Sequence, residues 1–308
     1  MNARNNRKNN RRMTRITADM TAICQYKRGF MTTSEVDFTV DWLEPYLMEL
    51  SSNGVLYSDS KGNMYLTVGL APTTAFTAHT DSVHRTMGTQ TVVVDEFNWM
   101  TTTDGECLGA DDAAGIVILI EMIKRRIPGV YCFFVGEECG GVGSSHAASV
   151  LAKGEGPLVG VDMMISYDRK GTDDVITHQG WGECCSVEFA KALGKAYNMK
   201  PCSGGVYTDS AEFTDLIAEC TNISVGYYNE HTAMESCSLD HLCALVELAC
   251  STNYNDLPVV RDPSNDPLDH FPMLKSEAQQ AIAAFLETSG LNDDDLEDYL
   301  WGTYGVME

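Results

Sequence analysis

The sequence predicts an α/β fold in which a mostly parallel mixed sheet is sandwiched between helices. A short apolar run at 130–135 ends in a glycine and two adjacent carboxylates, Glu137 and Glu138. Three similar runs, each reaching a histidine or an acid, occur at 74–82, 163–169 and 221–232. Short β-branched and aromatic runs between helical patterns are typical of buried strands in parallel sheets. Because ligands bind outside the carboxyl ends of such strands, these polar residues mark a candidate site.

The composition limits the classes of partner and compartment. Of the 308 residues, 44% are apolar, which is ample for one large domain or two small ones. A formal charge of −23, from 44 acidic and 21 basic residues, argues against a nucleic-acid backbone as the main partner. Eleven cysteines without the paired spacing of a disulfide scaffold or a zinc ribbon predict a reducing compartment, the cytoplasm. No signal-peptide core and no apolar run of about 18 residues is found, so a membrane span is not expected.

The two ends of the chain differ from its middle. Residues 1–30 begin with a basic stretch that lacks apolar periodicity, and they are predicted to form a flexible arm. Such an arm could contact nucleic acid or an acidic partner, although a tail without a function is the simpler interpretation. Residues 31–290 are predicted to form a single domain. Residues 291–308 are predicted to be an acidic tail with a short helix, because Asp293 to Asp295 suit a first helical turn.

Helical patterns predict the elements that cover the sheet. Thr32 to Leu50 reads as an amphipathic helix that places Val36 and Val40 on its buried face. The run from Leu108 to Ile123 is too continuously apolar for a surface helix, so it is expected to lie in the core. Further predicted elements are a hairpin at 54–68 and helices at 142–151, 183–197, 239–251 and 275–287.

Several polar residues have the type and position of metal ligands. His79 and Asp81 lie two residues apart, on one face if the strand continues. A ligating imidazole usually donates its other N–H to a carboxylate, which is what this spacing offers. Asp111 precedes the core helix, where a helix cap is the alternative interpretation. Asp168 and His231 end two further apolar runs.

The two glutamates can divide the work of a metal site. One carboxylate can ligate a cation while the other stays unligated as a general base. A solvated Glu137–Glu138 pair at a strand end is the alternative. Counted with the residues above, five mixed His and carboxylate ligands suit two zinc-type ions that share one bridging carboxylate, about 3.5–4 Å apart.

The order of these motifs resembles the co-catalytic dizinc exopeptidase superfamily, which includes bacterial leucine aminopeptidases and peptidase T-like tripeptidases. The chain has, in order, His-x-Asp, Gly-Ala-Asp-Asp, Glu-Glu-x-Gly-Gly-x-Gly-Ser, Asp, and a late His before Thr-x-x-Glu. The resemblance covers roughly residues 30–290 and implies a role for each candidate. His79 and Asp168 would hold one zinc ion, Glu138 and His231 the other, Asp111 would bridge them, Glu137 would be the general base, and Asp81 would orient His79. Cobalt or manganese could replace zinc. Relatives also have a cis peptide after the bridging aspartate, which implies one at Asp111–Asp112.

One departure from the superfamily pattern bears on the substrate. Many relatives insert a lid or dimerisation domain of about a hundred residues between the fourth and fifth ligands, but Asp168 and His231 are only 63 positions apart. The chain is therefore expected to be a lidless zinc-exopeptidase-like catalytic domain. It would lack the domain with which carboxypeptidase and deacylase relatives grip a terminal carboxylate or acyl group. The expected activity is hydrolysis of a peptide or small amide, as an aminopeptidase.

Other interpretations remain open. An N-acyl amino acid amidohydrolase is the first alternative activity, and a metal-binding homologue without turnover is the second. Asp209 is predicted to contact a substrate amine, with a helix cap as the equal alternative. Substrate side-chain preference, the physiological metal and oligomeric state are not predicted by the sequence.

Overall fold

A computed structural model describes residues 3–51, 56–180 and 182–263 of the chain. Its helices are α1 Ala3–Cys24, α2 Thr33–Asp37, α3 Glu44–Leu50, α4 Ala110–Lys124, α5 Val142–Leu151, α6 Val187–Tyr197 and α7 Leu239–Ser251. Its strands are β1 Leu56–Ser58, β2 Met64–Val68, β3 Thr74–His79, β4 Val92–Val94, β5 Trp99–Thr102, β6 Gly129–Phe134, β7 Met163–Arg169, β8 Asp174–Ile176, β9 His178–Gln179, β10 Gly182–Glu183, β11 Lys200–Cys202, β12 Glu219–Ser224, β13 Tyr227–Tyr228 and β14 Ser236–Ser238. The predicted helix at 275–287 and the tail at 291–308 lie outside the described residues.

The predicted mixed sheet is confirmed. Eight strands lie in the order β1-β2-β6-β3-β7-β12-β8-β11. The four central strands, β6, β3, β7 and β12, are mutually parallel, and the predicted hairpin β1–β2 pairs antiparallel on one side. Because these four strands are parallel, their carboxyl ends all lie at the same edge of the sheet, and crossover segments return the chain to the opposite edge. The edge with the carboxyl ends carries the candidate site.

Helices cover both faces of this sheet. Successive side chains along its strands point to opposite faces, and both sets are buried. Along β6, Tyr131 and Phe133 face a core built with α1, α4, α6 and α7, while Cys132 and Phe134 face a smaller core built with α5. A strand buried on both faces reads as a continuous apolar run, which is why these strands were recognisable in the sequence. None of the helices in the described ranges is long and apolar enough to cross a membrane.

The predicted core helix is α4, which is buried from Ala110 to Ile123. Gly115 allows its first turn to pack closely against β7, since a Cβ there would overlap the carbonyl oxygen of Tyr167 and the carboxylate of Asp112. This close approach brings the start of α4, and with it Asp111, to the carboxyl edge of the sheet.

A smaller antiparallel sheet lies beside the start of α4, with the strand order β13-β14-β5-β4. The connection between β13 and β14 is the segment that carries His231 and Glu235. Between Asp168 and His231 the described residues form α6, the six strands β8 to β13 and a one-turn 3₁₀ helix at Asp209–Phe213, and they include no separate lid domain.

The predicted helix from Thr32 to Leu50 forms, but its buried face differs from the prediction. A π-helical segment, Phe38–Leu43, interrupts it between α2 and α3. The wider turn shifts the helical phase, so Phe38 is buried whereas Val36 and Val40 are 53% and 52% exposed.

The prediction of a flexible arm over residues 1–30 is wrong for the described residues of that segment. They form α1, which packs on α4 and α7 and buries Ile16, Met20 and Ile23 completely. Arg15 adds an ion pair from its Nε to Glu121 of α4, at 2.7 Å. The apolar side chains recur at helical spacing only after Met13, and the basic residues before them conceal this pattern.

We expect Met20→Ala to lower the free energy of unfolding by about 2–5 kcal/mol, because it opens a cavity where α1 meets the core. Thr14→Ala is the control, since Thr14 is exposed on the same helix, and a surface change costs less than about 0.5 kcal/mol. Chemical denaturation measures both. Equal small effects would show that α1 is not part of the cooperative fold.

Candidate metal centre

The carboxyl edge of the sheet collects the residues that the sequence singled out. His79 ends β3, Glu137 and Glu138 follow β6, and Asp168 lies at the end of β7. His231 was predicted to lie at a strand end. It lies instead in the β13–β14 connection, where its φ of 64° places it in the left-handed region.

Two overlapping groups of ligand atoms share one carboxylate. The first group is His79, Asp111 and Asp168, the second is Asp111, Glu138 and His231, and the ligand atoms of each lie within 4.8 Å of one another. Oδ1 of Asp111 is 2.9 Å from Nε2 of His79, and Oδ2 is 3.2 Å from Nε2 of His231. Asp111 thus presents one oxygen to each histidine.

Glu137 belongs to neither of these two groups. It forms a third group with His79 and Glu138, again with ligand atoms within 4.8 Å. Its carboxylate is therefore near enough to accept a proton from a molecule bound at the centre, and near enough to serve as a further ligand.

Asp81 joins the ends of β3 and β6. Its Oδ1 is 3.4 Å from Nδ1 of His79, the nitrogen that faces away from Asp111. The two oxygens of Asp81 also accept hydrogen bonds from the backbone N–H groups of Glu137, at 3.1 Å, and Glu138, at 3.2 Å. Asp81 is fully buried, so one carboxylate contacts the ring of His79 and holds the backbone of Glu137 and Glu138.

The Asp111–Asp112 peptide bond is cis, which confirms the expectation drawn from the resemblance. The Asp112 side chain points away from the two groups. It accepts hydrogen bonds from the backbone N–H of His79, at 3.2 Å, and of Gly115, at 2.9 Å.

Comparison with known proteins supports the same fold. No protein-family model matches the sequence, and no curated protein sequence matches it. Among solved structures, a tripeptidase from Staphylococcus aureus matches with a TM-score of 0.63 at 13% identity, covering 77% of this chain and 96% of that one. Aminopeptidase PepT from Bacillus cereus matches with a TM-score of 0.60 at 14% identity, covering 77% and 97%. The TET1 peptidase from Pyrococcus horikoshii matches with a TM-score of 0.58 at 14% identity, covering 76% and 98%.

The chain has the fold of these peptidases. At such low identity the likeness concerns the fold alone, so the chemistry of the site must be argued from its own residues. The resemblance recognised from the motif order agrees with this result.

Burial and charge give the centre an excess of negative charge. Burial, together with the neighbouring carboxylates, raises the pKa of Glu137 and Asp168 and raises that of Glu138 to about 7. Burial alone would also raise the pKa of Asp111, but hydrogen bonds from His231 and His79 hold it well below its usual range. Two histidines thus face at least four carboxylates.

This donor set fits divalent cations. Imidazole nitrogens and carboxylate oxygens are the mixed ligands of zinc and similar metals, and a cation would offset the repulsion that raises the carboxylate pKa values. The two groups overlap at Asp111, whose two oxygens face different histidines. The residues present are therefore suitable for the metal that the fold implies.

Two residues that the sequence analysis did not identify hold Asp168 in place. Tyr227 donates a hydrogen bond from its hydroxyl to Oδ1, at 3.1 Å, and Thr208 donates to Oδ2, at 2.6 Å. Neither Tyr227 nor Thr208 belongs to a recognisable local motif, so their contacts with Asp168 are visible only in the folded structure. Two more residues act near Asp111: Arg28, which the sequence analysis did not identify, and Glu235, which it included only as the last residue of the Thr-x-x-Glu motif, without a role.

Asp209 is not among the residues that line the cleft at the centre, and its contact with a substrate amine stays a prediction. It is 1% exposed and lies in the first turn of the 3₁₀ helix at Asp209–Phe213, where Thr208 occupies the N-cap position, so the alternative of a helix cap is wrong. Burial raises its pKa to about 8, although the charge of His79 acts in the opposite direction.

The cleft that opens onto the centre has mixed polarity. Beyond the candidate ligands it is lined by Arg169, Lys170, Tyr207 and Glu230 among others. Lys170 forms an ion pair with Glu230, with Nζ 3.1 Å from Oε1. The wall therefore offers charges of both signs within reach of a bound substrate.

Proposed function

We propose that this protein is a metal-dependent exopeptidase, an aminopeptidase that uses two zinc ions and a glutamate general base. The observation that carries the proposal is the position of Asp111, which presents one oxygen to each of two ligand groups. A carboxylate shared in this way is what a two-metal hydrolytic site requires. The fold shared with tripeptidases and aminopeptidases supports the same reaction class.

The proposed ligands divide between the two ions. His79 and Asp168 would hold one ion, Glu138 and His231 the other, and Asp111 would contact both. When bound, two zinc ions supply Lewis acidity, which lowers the pKa of water toward neutrality and polarises a scissile carbonyl. Cobalt or manganese could fill the same ligand set.

Glu137 is the residue proposed to move the proton. It lies beside both ligand groups without belonging to either, so its carboxylate can take a proton from the attacking water and deliver it to the leaving amine. Burial raises the pKa of Glu137, while the charge of His79 acts in the opposite direction, and a raised pKa favours a carboxylate that takes up a proton. Asp81 keeps His79 in the ligating orientation through its contact with Nδ1.

The substrate is proposed to be a peptide or small amide with a free amino terminus. The described residues between Asp168 and His231 include no lid that could grip an acyl group or a terminal carboxylate, which favours binding from the amino end. An N-acyl amino acid amidohydrolase is the alternative. The eleven free cysteines support a cytoplasmic location.

The test is hydrolysis of a panel of aminoacyl amides and their N-acetylated counterparts, before and after treatment with a chelator. We expect hydrolysis of the free-amine substrates only, complete loss with the chelator, and recovery on adding zinc, cobalt or manganese. Activity on blocked substrates alone would favour the amidohydrolase. Metal binding with no turnover on either set of substrates would indicate a metal-binding homologue without catalytic activity.

A further inference from the structure

A buried carboxylate holds the turn that leads into Asp111. Glu235 accepts three backbone hydrogen bonds: from Gly109 to Oε2, at 3.0 Å, and from Ala110 and Asp111 to Oε1, at 2.7 and 3.1 Å. Its side chain is 1% exposed. These N–H groups lie at the start of α4, where they have no partners within the helix, so the carboxylate fixes the direction in which the chain enters it.

A buried guanidinium holds the same turn from the carbonyl side. Arg28 donates from Nη2 to the carbonyl oxygen of Gly109 and from Nε to that of Thr80, both at 2.9 Å. It also donates from Nη1 to the carbonyl of Ile23, near the end of α1, at 3.2 Å. Thr80 directly follows His79, so one fully buried side chain links α1, the residue after one candidate ligand and the turn before another.

Gly109 is where the two charged side chains meet. Its N–H is bonded to Glu235 and its carbonyl to Arg28, so both sides of the turn are fixed. Its φ is 72°, and a Cβ would lie 3.1 Å from Cε1 of His84. Both backbone groups of Gly109 are therefore bonded, and a side chain at this position would press against His84.

We infer that Glu235 and Arg28 are positioning residues that hold Asp111 where its carboxylate would contact both metal ions, an inference that rests on the metal centre of the proposed function. Glu235 lies four residues after His231 on the β13–β14 connection. One segment thus provides a ligand of the second group and holds the carboxylate that both groups share.

The two ligand groups depend on this arrangement to different degrees. His79 and Asp168 come from the central strands β3 and β7 and have their own partners, Asp81 for the first and Tyr227 for the second. Asp111 and His231 both lie on connections, and Glu235 links those connections. Loss of Glu235 should therefore weaken the ion held by Asp111, Glu138 and His231 more than the other.

The test is the zinc affinity of Glu235→Gln, measured by competition with a chromogenic chelator. Glutamine keeps the shape of the side chain but offers one acceptor oxygen instead of two. We expect affinity for the zinc ion held by Asp111, Glu138 and His231 to fall about 10–100-fold, the range seen when residues that orient metal ligands are replaced. With cobalt in place of zinc, the visible spectrum of the bound metal should change, and kcat should fall more than KM rises.

Glu219→Gln is the matched control. Glu219 is equally buried and accepts backbone hydrogen bonds from Ser186, at 2.6 Å, and Val260, at 2.7 Å. It begins β12, at the end of the strand remote from the candidate centre. It should lower thermal stability as Glu235→Gln does, yet leave zinc affinity unchanged.

Arg28→Lys is the second variant, because it keeps the charge but cannot reach three carbonyl groups. If Glu235→Gln does not fold, the zinc affinity of Arg28→Lys tests the inference instead. Unchanged zinc affinity in Glu235→Gln, or an equal loss in Glu219→Gln, would overturn the inference. Since the readout is zinc affinity, a wild-type protein that binds zinc but hydrolyses no peptide would contradict the proposed function and leave this inference testable.

Discussion

Glu137→Gln is expected to lower kcat by about 10²–10⁴-fold while the protein keeps its metal and its fold. The substitution removes only the ability to take up and return a proton, since Glu137 stands outside the two groups that share Asp111. Glutamine is nearly the same size, so packing around the buried side chain is preserved. Turnover on an aminoacyl amide, together with zinc content and melting temperature, provides the measurement.

Glu138→Gln is the matched control one residue further along the chain. Glu138 lies within the second ligand group, with Oε1 3.1 Å from Nε2 of His231. We expect this variant to lose zinc as well as turnover. If Glu137→Gln loses zinc and Glu138→Gln retains it, the roles of the two glutamates are the reverse of those proposed.

Asp111→Asn is expected to abolish measurable turnover and weaken the binding of both zinc ions. An amide offers one oxygen in place of two, so the side chain can no longer present an oxygen to each ligand group. Most other candidate ligands belong to one of these two groups, and their loss should weaken chiefly one ion. Isothermal titration of the metal-free variant with zinc measures this.

Asp209→Asn is the control for a buried acid near the centre. Asp209 lies outside all three candidate ligand groups, so its replacement should leave zinc stoichiometry unchanged. Retention of both ions by Asp111→Asn, or loss of both by Asp209→Asn, would show that the shared carboxylate has been wrongly identified.

The parts of the fold that were predicted correctly are those in which burial produces a recognisable apolar run in the local sequence. Strands β3, β6 and β7 are buried on both faces, so each appears as a short apolar run that ends at a polar residue. Helix α4 is buried on all sides and gives an equally continuous run. Since parallel strands end at one edge, the meeting of His79, Glu137 and Asp168 followed from these runs alone.

The features that were missed depend on packing between distant segments. Helix α1 was hidden by basic residues such as Arg15, whose partner Glu121 lies 106 positions away in the chain. Glu235 was quoted as part of the Thr-x-x-Glu motif, but its contact was missed because it binds backbone N–H groups about 125 positions earlier, which a side-chain pattern does not reveal. Arg28 binds only carbonyl oxygens among its described hydrogen bonds, so its sequence neighbours gave no signal either.

The most direct test of the central claim is a crystal structure of the zinc-loaded protein with anomalous data collected at the zinc edge. The two-ion arrangement predicts two peaks about 3.5–4 Å apart, one on each side of Asp111. The first should lie against His79 and Asp168, and the second against Glu138 and His231. A single peak at full zinc occupancy, or two peaks that do not share Asp111, would contradict the account.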